Sequence, residues 1–288
     1  ENGKIKSIKV SEKYYETDVL VLAIGHSARD TFKMLSSKKI YMEAKPFVVG
    51  IRIIHPQEII NKNQYPINYS FLPSASYKLT YKSKSGRGVY SFCMCPGGYV
   101  VNSRSTLNGI CVNGMSNYKR DSGFANSAIV VTVSPEDYGS NPLDGISFQE
   151  DLEQKAYNFG NGVIPIQRYI DYKNNTISEN IDIDAFKGKT HLANINDIFP
   201  AYLNESLKEG IDYFNNKING FNGDASVIAA PEARTSSPVR IVRDEDYNSN
   251  VKGIYPCGEG AGYAGGITTS AMDGIKVFES IYKKYKNK

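Results

Sequence analysis

Residues 253–275, GIYPCGEGAGYAGGITTSAMDGI, decide how this chain is read. They spell a short buried strand, a glycine-rich turn and a helix that carries Ile267, Ala271, Ile275, Phe278 and Tyr282 inward. A strand that passes through glycines into a helix aims backbone N–H groups and a positive helix end at a phosphate or similar anion. Within it, Gly260-Ala-Gly262-Tyr-Ala-Gly265 matches GxGxxG, the opening turn of a dinucleotide-binding βαβ unit. That unit requires a second strand with an acidic residue about 20 residues on, whereas the residues after Gly265 read as one helix with a basic end. The order is reversed: Glu259 stands at the strand tip and the glycine-lined helix start comes after it. The plainer alternative is a turn that serves only close strand–helix packing.

At the start of the chain, IKSIKV (Ile5–Val10) alternates apolar and polar residues as a half-buried strand does, and a turn-like SEKYYET comes next. DVLVLAIG then ends at Gly25, and its run Val19–Ile24 has the ungapped pattern of a strand buried on both faces of a parallel or mixed sheet. Ligands of such sheets gather beyond the carboxyl ends of the strands, where Gly25, His26 and Ser27 lie. From about Lys45 to about Pro231, short apolar runs (PFVVGIRII, GVYSFCMC, YVVN, SAIVVTV) alternate with Gly, Asn, Ser and Pro and read as β-rich structure. Two helices interrupt it. Ser147-Phe-Gln-Glu150 is a capping-box pattern with Phe148, Leu152, Ala156 and Phe159 on one stripe; Phe199, Leu203, Leu207, Ile211, Phe214 and Ile218 recur at helical spacing. The expected fold is mixed α/β (α+β): a discontinuous cofactor domain, residues 1–44 and 232–288, around a large inserted β-rich α/β substrate domain, residues 45–231.

Composition removes several function classes. Hydrophobic residues at 41% and charged residues at 22% are those of a globular domain. The 34 Lys and Arg against 30 Asp and Glu leave a formal charge of +4, dispersed apart from the terminal KKYKNK. Nucleic acid or anionic membrane requires a basic cluster or stripe, so neither is the expected partner, and the terminal lysines suit the end of a helix. No apolar run approaches the roughly 20 residues of a membrane helix, and ENGKIKSIKV has neither a signal-peptide core nor an Arg-rich transit pattern. Four cysteines make no disulfide framework, so a reducing cytoplasm is the expected compartment. The chain opens in mid-pattern and without Met, which points to a fragment.

CGEGAGYAGGIT, with its acid ahead of the glycines, resembles the C-terminal motif of glutathione-reductase-like flavoproteins. In those families an acidic residue after the last strand binds the ribityl or pyrophosphate region of FAD, and the next helix points its N-terminus at the pyrimidine edge of the isoalloxazine. Their ATG-like turn has its counterpart at Ala23-Ile24-Gly25. Six stretches, AIGHSARDTF, KPFVVGIRIIHPQ, GRGVYSFCMCPGG, VNGMS, PEARTSSPVRI and CGEGAGYAGGITTSAMDGI, together resemble a bacterial family of uncharacterised FAD- or NAD-utilising dehydrogenases. The resemblance implies an FAD-dependent oxidoreductase that passes hydride or electrons between flavin and a small-molecule substrate, with NAD(P)H as a donor. It implies a cofactor site formed by Gly25, His26, Ser27, Gly258, Glu259, Gly260, Gly265, Gly266, Ile267 and Thr268. Two departures stand out: Ile24 replaces the usual Thr, and the N-terminal βαβ (Rossmann) unit of that family is missing from this chain. The fragment alone is expected to hold little or no FAD and to be inactive. A flavin-dependent RNA-modifying or nucleic-acid-binding protein is the rival reading, and it requires a basic stripe along the insert.

Cys93 and Cys95 stand two apart in what reads as a strand, so both thiols face the same side. Side chains at that spacing start about 6–7 Å apart, a poor fit to a disulfide. CxC offers two of the four ligands of a zinc site, and no metal is expected. The pair is either two small core residues or thiols beside the flavin, the latter supported by the adjoining Pro96-Gly97-Gly98 turn. Arg52 interrupts the apolar GIRII and points either outward or at an anion across the domain boundary. Arg87, Arg234 and Arg240 lie in turn-like segments where guanidinium groups bind carboxylate or phosphate, or are simply solvated. Arg234 is preferred because it returns the chain to the cofactor domain. The candidate catalytic residues are therefore Cys93, Cys95, Arg52 and Arg234. His26 lies near the cofactor or donates to a neighbouring carbonyl, while His55 and His191 are expected in surface or structural roles.

Overall fold

The computed structural model describes residues 2–65 and 71–286, so Asn287 and Lys288 of the basic tail lie outside the described residues. The chain divides into two compact units: Glu1–Phe47 with Ser134–Phe148 and Arg234–Lys288, and Val48–Val133 with Gln149–Ala233.

The second unit is built on a seven-stranded sheet in the order Thr190–Leu192, Ile164–Arg168, Val227–Glu232, Phe47–Pro56, Phe124–Val133, Gly88–Cys95, Thr80–Lys82. The first two strands are parallel. Ile164–Arg168, Val227–Glu232 and Phe47–Pro56 run antiparallel in succession, as do the last three strands, so the sheet is mixed. Phe47–Pro56 and Phe124–Val133 are buried almost throughout, which explains their ungapped apolar sequences. Gly50 is required where these two strands approach closely, since a Cβ there would overlap the Ile129 carbonyl oxygen. The helix Ala201–Asn215 packs on this sheet through Leu203, Leu207, Ile211 and Phe214, as its spacing predicts. A three-stranded sheet, Phe186–Lys187, Gly98–Asn102 and Val112–Ser116, joins the core through Val100 and Val112, which meet Ile54, Ile166 and Val227.

The helix expected to start at Ser147 instead runs Asp144–Phe159. Ser147 is already inside it, and its N–H bonds to the Leu143 carbonyl. A capping box does occur on a separate short helix, Pro135–Tyr138, where the Ser134 N–H donates to Asp137 at 2.8 Å. Leu152 and Ala156 are buried as expected, whereas Phe159 is 44% exposed.

The first unit is built around two parallel strands, Leu20–Leu22 and Ile254–Pro256. The helix Arg29–Ser37 and the pair Met42–Ala44/Val239–Ile241 cover one side through Phe32, Leu35, Val239 and Ile241. Tyr138 and Phe148 join this unit by packing on Phe47, and the Tyr138 hydroxyl donates to the Lys45 carbonyl at 2.8 Å.

Three expectations fail here. SEKYYET is half of a hairpin: Ser7–Val10 pairs with Lys13–Glu16 around Ser11, whose φ is +54°, and both strands are largely exposed. Val19–Ile24 gives only a three-residue strand, and Val21 is 43% exposed because no layer covers it among the described residues. The helix Ile267–Tyr285 forms, but Ile267, Ala271, Ile275, Phe278 and Tyr282 face outward. It seats instead through Val277 and Ile281 on Tyr255 and Cys257. The helix has two apolar faces, and periodicity does not say which one meets the sheet.

His55, on the central strand of the large sheet, is wholly buried, with Nε2 2.7 Å from the Phe221 carbonyl oxygen and its ring 4.5 Å from the Phe221 ring. Burial holds its pKa down to about 4, against the opposing bond to Phe221, so the imidazole is neutral and donates through Nε2. An unfolded histidine titrates near 6.5 and takes up its proton first as pH falls. Stability should therefore drop as pH falls from about 6.5 to about 4, by about 3 kcal/mol over the whole window. Urea unfolding across that range checks this: His55→Gln should flatten the slope, and an unaltered slope would remove His55 as its source.

Candidate functional site

In the first unit the two parallel strands end side by side in Gly25-His26-Ser27 and Gly258-Glu259-Gly260. Gly25 and Gly258 have φ of +69° and +74°, and a Cβ on Gly260 would overlap the Gly25 carbonyl, so the two turns touch through glycine backbone. His26 Nδ1 lies 3.2 Å from Glu259 Oε1, and Arg234 Nη1 donates to Ser27 Oγ at 3.3 Å.

Asp273, one of two buried residues of the long helix, accepts from the Gly258 N–H at 2.7 Å and from Arg243 at 2.7 and 3.0 Å. Arg243 in turn stacks on the Tyr263 ring at 3.6 Å and the Tyr247 ring at 4.5 Å. Burial alone would raise the Asp273 pKa, but the bonds from Arg243 and Gly258 and the Arg243 charge hold it below the usual carboxylate range.

The helix begins at Gly266 with no side-chain cap, and Cβ atoms on Gly265 and Gly266 would meet nothing within 4 Å. Its first-turn N–H groups are thus open to an incoming acceptor. Ile267 is 93% exposed, Thr268 is exposed, and the Oγ of Ser270 is buried without a hydrogen-bond partner. Lys45 completes the charge set: burial, then Arg240, lowers its pKa, while Glu259 opposes. The assembly offers backbone donors, one carboxylate and several cations, which suits a ligand with anionic oxygens and hydroxyl groups.

The second unit holds a different cluster. Arg52 is wholly buried; its Nε donates to Glu232 Oε2 at 2.9 Å and Nη2 to Oε1 at 3.4 Å. Nη2 also donates to Asn113 at 3.2 Å, and Nη1 to Asn126 at 2.8 Å and to the Cys93 carbonyl at 3.1 Å. All five guanidinium donors are thereby satisfied, and Cys95 Sγ lies 3.8 Å from Nη1. Burial opposes the Arg52 charge, but the Glu232 carboxylate more than restores it, and its pKa is raised.

Two sheet irregularities create this geometry. One extra residue between Ala229 and Glu232 brings the carboxylate to Arg52. Another, opposite Asn126 and Ala128, lies between Phe92 and Cys95 and includes Cys93 at φ +43°. The thiols therefore do not follow strand alternation, contrary to expectation: Cys93 is exposed and Cys95 half-buried beside Arg52. Arg52 points neither outward nor across a boundary; its acid lies within its own unit. A Cβ on Gly114 would overlap both Arg52 Nη1 and Asn126 Oδ1.

Thus the structure brings Arg52, Cys93 and Cys95 together, places Arg234 in the first unit on Ser27, and gathers the predicted cofactor-binding residues at the strand ends and helix start. Arg87 donates to the Thr132 carbonyl at 3.0 Å and stacks on Tyr202, while Arg240 is exposed over Tyr263. His191 is exposed in a short strand. Sequence reasoning missed Glu232, Asn113, Asn126, Lys45, Arg243 and Asp273. The available signal was a polar residue isolated in an apolar run, as in VIAAPE and FANSAIVV.

Fold and geometry together define a mixed α/β protein with two glycine turns at paired strand ends and a buried arginine–carboxylate cluster beside two thiols. The family described as "FAD-dependent protein, C-terminal domain-like" matches residues 46–235, and the chain belongs to that family. The match covers the second unit and leaves the 253–275 turn outside it. The chain is also 47% identical over 293 residues to an uncharacterized protein of Clostridium beijerinckii, covering 99% of this chain and 55% of that protein. It spans about half the length of the curated relative it matches. Among the described residues no helix is long and apolar enough to cross a membrane.

Two substitutions test these supports. Asp273→Asn leaves Arg243 without its counter-charge and should cost about 3 kcal/mol in urea unfolding. Gly114→Ala drives a methyl group into the Arg52 donors and should cost about 2 kcal/mol; a neutral result for either would mean that its contacts contribute no stability.

Proposed function

We propose that the protein is the C-terminal portion of an FAD-dependent oxidoreductase acting on a small-molecule substrate, and that its first unit carries part of a glutathione-reductase-like FAD site. One observation carries this reading: the two glycine turns meet at adjacent parallel strand ends and lead directly into an uncapped helix start. Membership of a FAD-dependent family supports it.

The residues fit the group on three counts. The Gly265-Gly266 backbone leaves room for close approach, the buried Ser270 hydroxyl has no partner, and Glu259 offers a carboxylate to ligand hydroxyls. Bound FAD supplies two-electron hydride chemistry with a reduced nicotinamide as donor. His26 orients Glu259 by pairing with it, Arg234 orients Ser27, and Asp273 fixes the Gly258 N–H. The first-turn N–H groups of the helix, with Lys45 nearby, stabilise negative charge that develops on the ligand. The outward stripe Ile267, Ala271, Ile275, Phe278 and Tyr282 and the exposed Val21 are the seat of a further α/β segment that completes the nucleotide site. A bare two-stranded parallel sheet supports this, because parallel sheets are ordinarily covered on both faces.

The test compares this chain with the full-length Clostridium relative. The longer protein should purify with flavin absorption that bleaches on adding NADH or NADPH, and replacing by Ala its residue that aligns with Glu259 should lower its flavin occupancy. This chain alone should retain little flavin. A colourless full-length protein that takes up no added FAD would sink the reading.

A further inference from the structure

One edge of the large sheet, within the second unit, carries a surface that stands apart from the flavin reading. Thr80–Lys82 is the last strand there, and among the described residues it pairs with Gly88–Cys95 alone. Tyr81 stands opposite Val89; to either side, the Ser91 N–H donates to the Leu79 carbonyl and the Ser83 N–H to the Arg87 carbonyl. Antiparallel ladders alternate bonded and non-bonded pairs, so the N–H and C=O groups of Thr80 and Lys82 point out of the sheet. The strand holds neither proline nor a register shift to blunt it, and such an edge is a template for a further strand. Beside it lies an open groove of about 580 Å³ whose walls include three tyrosines. Tyr81 stacks on Tyr213 of the helix Ala201–Asn215, with ring centroids 4.6 Å apart. Tyr90, paired with Thr80, lies on the opposite face, and its hydroxyl rests where a Cβ on Gly88 would be. Tyr213 and Tyr90 are 36% and 39% exposed, so a strand added here meets an aromatic ring on each face.

Charge identifies the occupant. Lys78, Lys82 and Lys84 are all exposed along this edge, and the exposed Lys217 lies 5.8 Å from the Tyr213 ring centroid. Glu209 stands among them and accepts from the Lys84 N–H at 2.8 Å, which leaves the edge cationic. A second copy of this chain fits poorly: antiparallel self-pairing about Tyr81 sets Lys78 of each copy opposite Lys84 of the other, and like charges so placed repel. We propose that Thr80–Lys82 is a docking edge for an extended acidic segment of a partner protein. The segment adds as a strand on the outward N–H and C=O groups of Thr80 and Lys82, its carboxylates meet the lysines, and its alternate side chains rest on the tyrosines.

Fluorescence polarisation tests this with a fluorescein-labelled peptide of alternating Glu and Val around a central Tyr, and with its counterpart in which Lys replaces Glu. The native chain should bind the acidic probe saturably and the basic one about tenfold more weakly. Lys82→Glu should narrow or reverse that preference. Thr80→Pro removes one outward N–H while the ladder bonds stay, a change edge strands tolerate, and should weaken the acidic probe by about fivefold, the equivalent of one hydrogen bond. No saturable binding by the native chain, equal affinity for the two probes, or full affinity in a folded Thr80→Pro chain would each overturn the proposal. So would a native dimer that Thr80→Pro dissociates, because the edge would then belong to a second copy. If Thr80→Pro melts without cooperativity, the native chain decides with an acidic probe N-methylated at every residue, which keeps the charge and loses the N–H donors. Its affinity should fall at least about tenfold, and an unchanged affinity removes strand addition.

Discussion

The second unit is arranged around one demand, that a guanidinium enclosed among apolar strands have an acceptor for every N–H. An unpaired buried cation costs several kcal/mol, and a paired one is tolerated only when the geometry is complete. Glu232 supplies the counter-charge, and Asn113, Asn126 and the Cys93 carbonyl complete the set. The consequences spread outward. The strand Val227–Glu232 carries an extra residue, Gly88–Cys95 carries another, and position 114 must be glycine to leave room. Residues far apart in the chain become interdependent because a single planar fork reads them all.

This interdependence separates what was legible in the sequence from what was not. Long periodic elements were legible: Leu203, Leu207, Ile211 and Phe214 mark their helix, and the runs around Val49, Val89 and Val130 mark their strands. The strand–glycine–helix order of 253–275 was legible too, because glycines and a strand-end acid succeed one another in the chain. The Arg52 cluster was readable only in pieces. Apart from Asn126, its residues fall in four of the six stretches that carry the family resemblance, but bulges brought them together, and a bulge has no periodic signature. The same limit explains Cys93 and Cys95: alternation places them on one face, and a single left-handed residue breaks the alternation.

The first unit shows the opposite condition. Its glycine turns are short, local and well formed, yet among the described residues the helix that extends from them leaves one apolar face uncovered. A single exposed Leu or Phe is ordinary on a protein surface; a stripe along several turns of one helix is the kind of patch that marks an interaction surface. The family match covers the whole second unit and, of the first, Ser134–Phe148 and a few residues beside the boundaries, so the glycine turns and the region that establishes family membership are different parts of the chain.

The pairing of Leu20–Leu22 with Ile254–Pro256 joins strands far apart in the chain. Left to itself, such a contact would require closing a very long loop, the slowest kind of step in folding. The large sheet shortens that loop. Its strands Phe47–Pro56 and Val227–Glu232, which lead into and out of the second unit, are antiparallel neighbours with Gly50 opposite Glu232. Once they pair, the flanking segments emerge close together and the remaining search is local. The pairing of Phe47–Pro56 with Val227–Glu232 thus lowers the loop-closure cost that the two short parallel strands would otherwise bear alone.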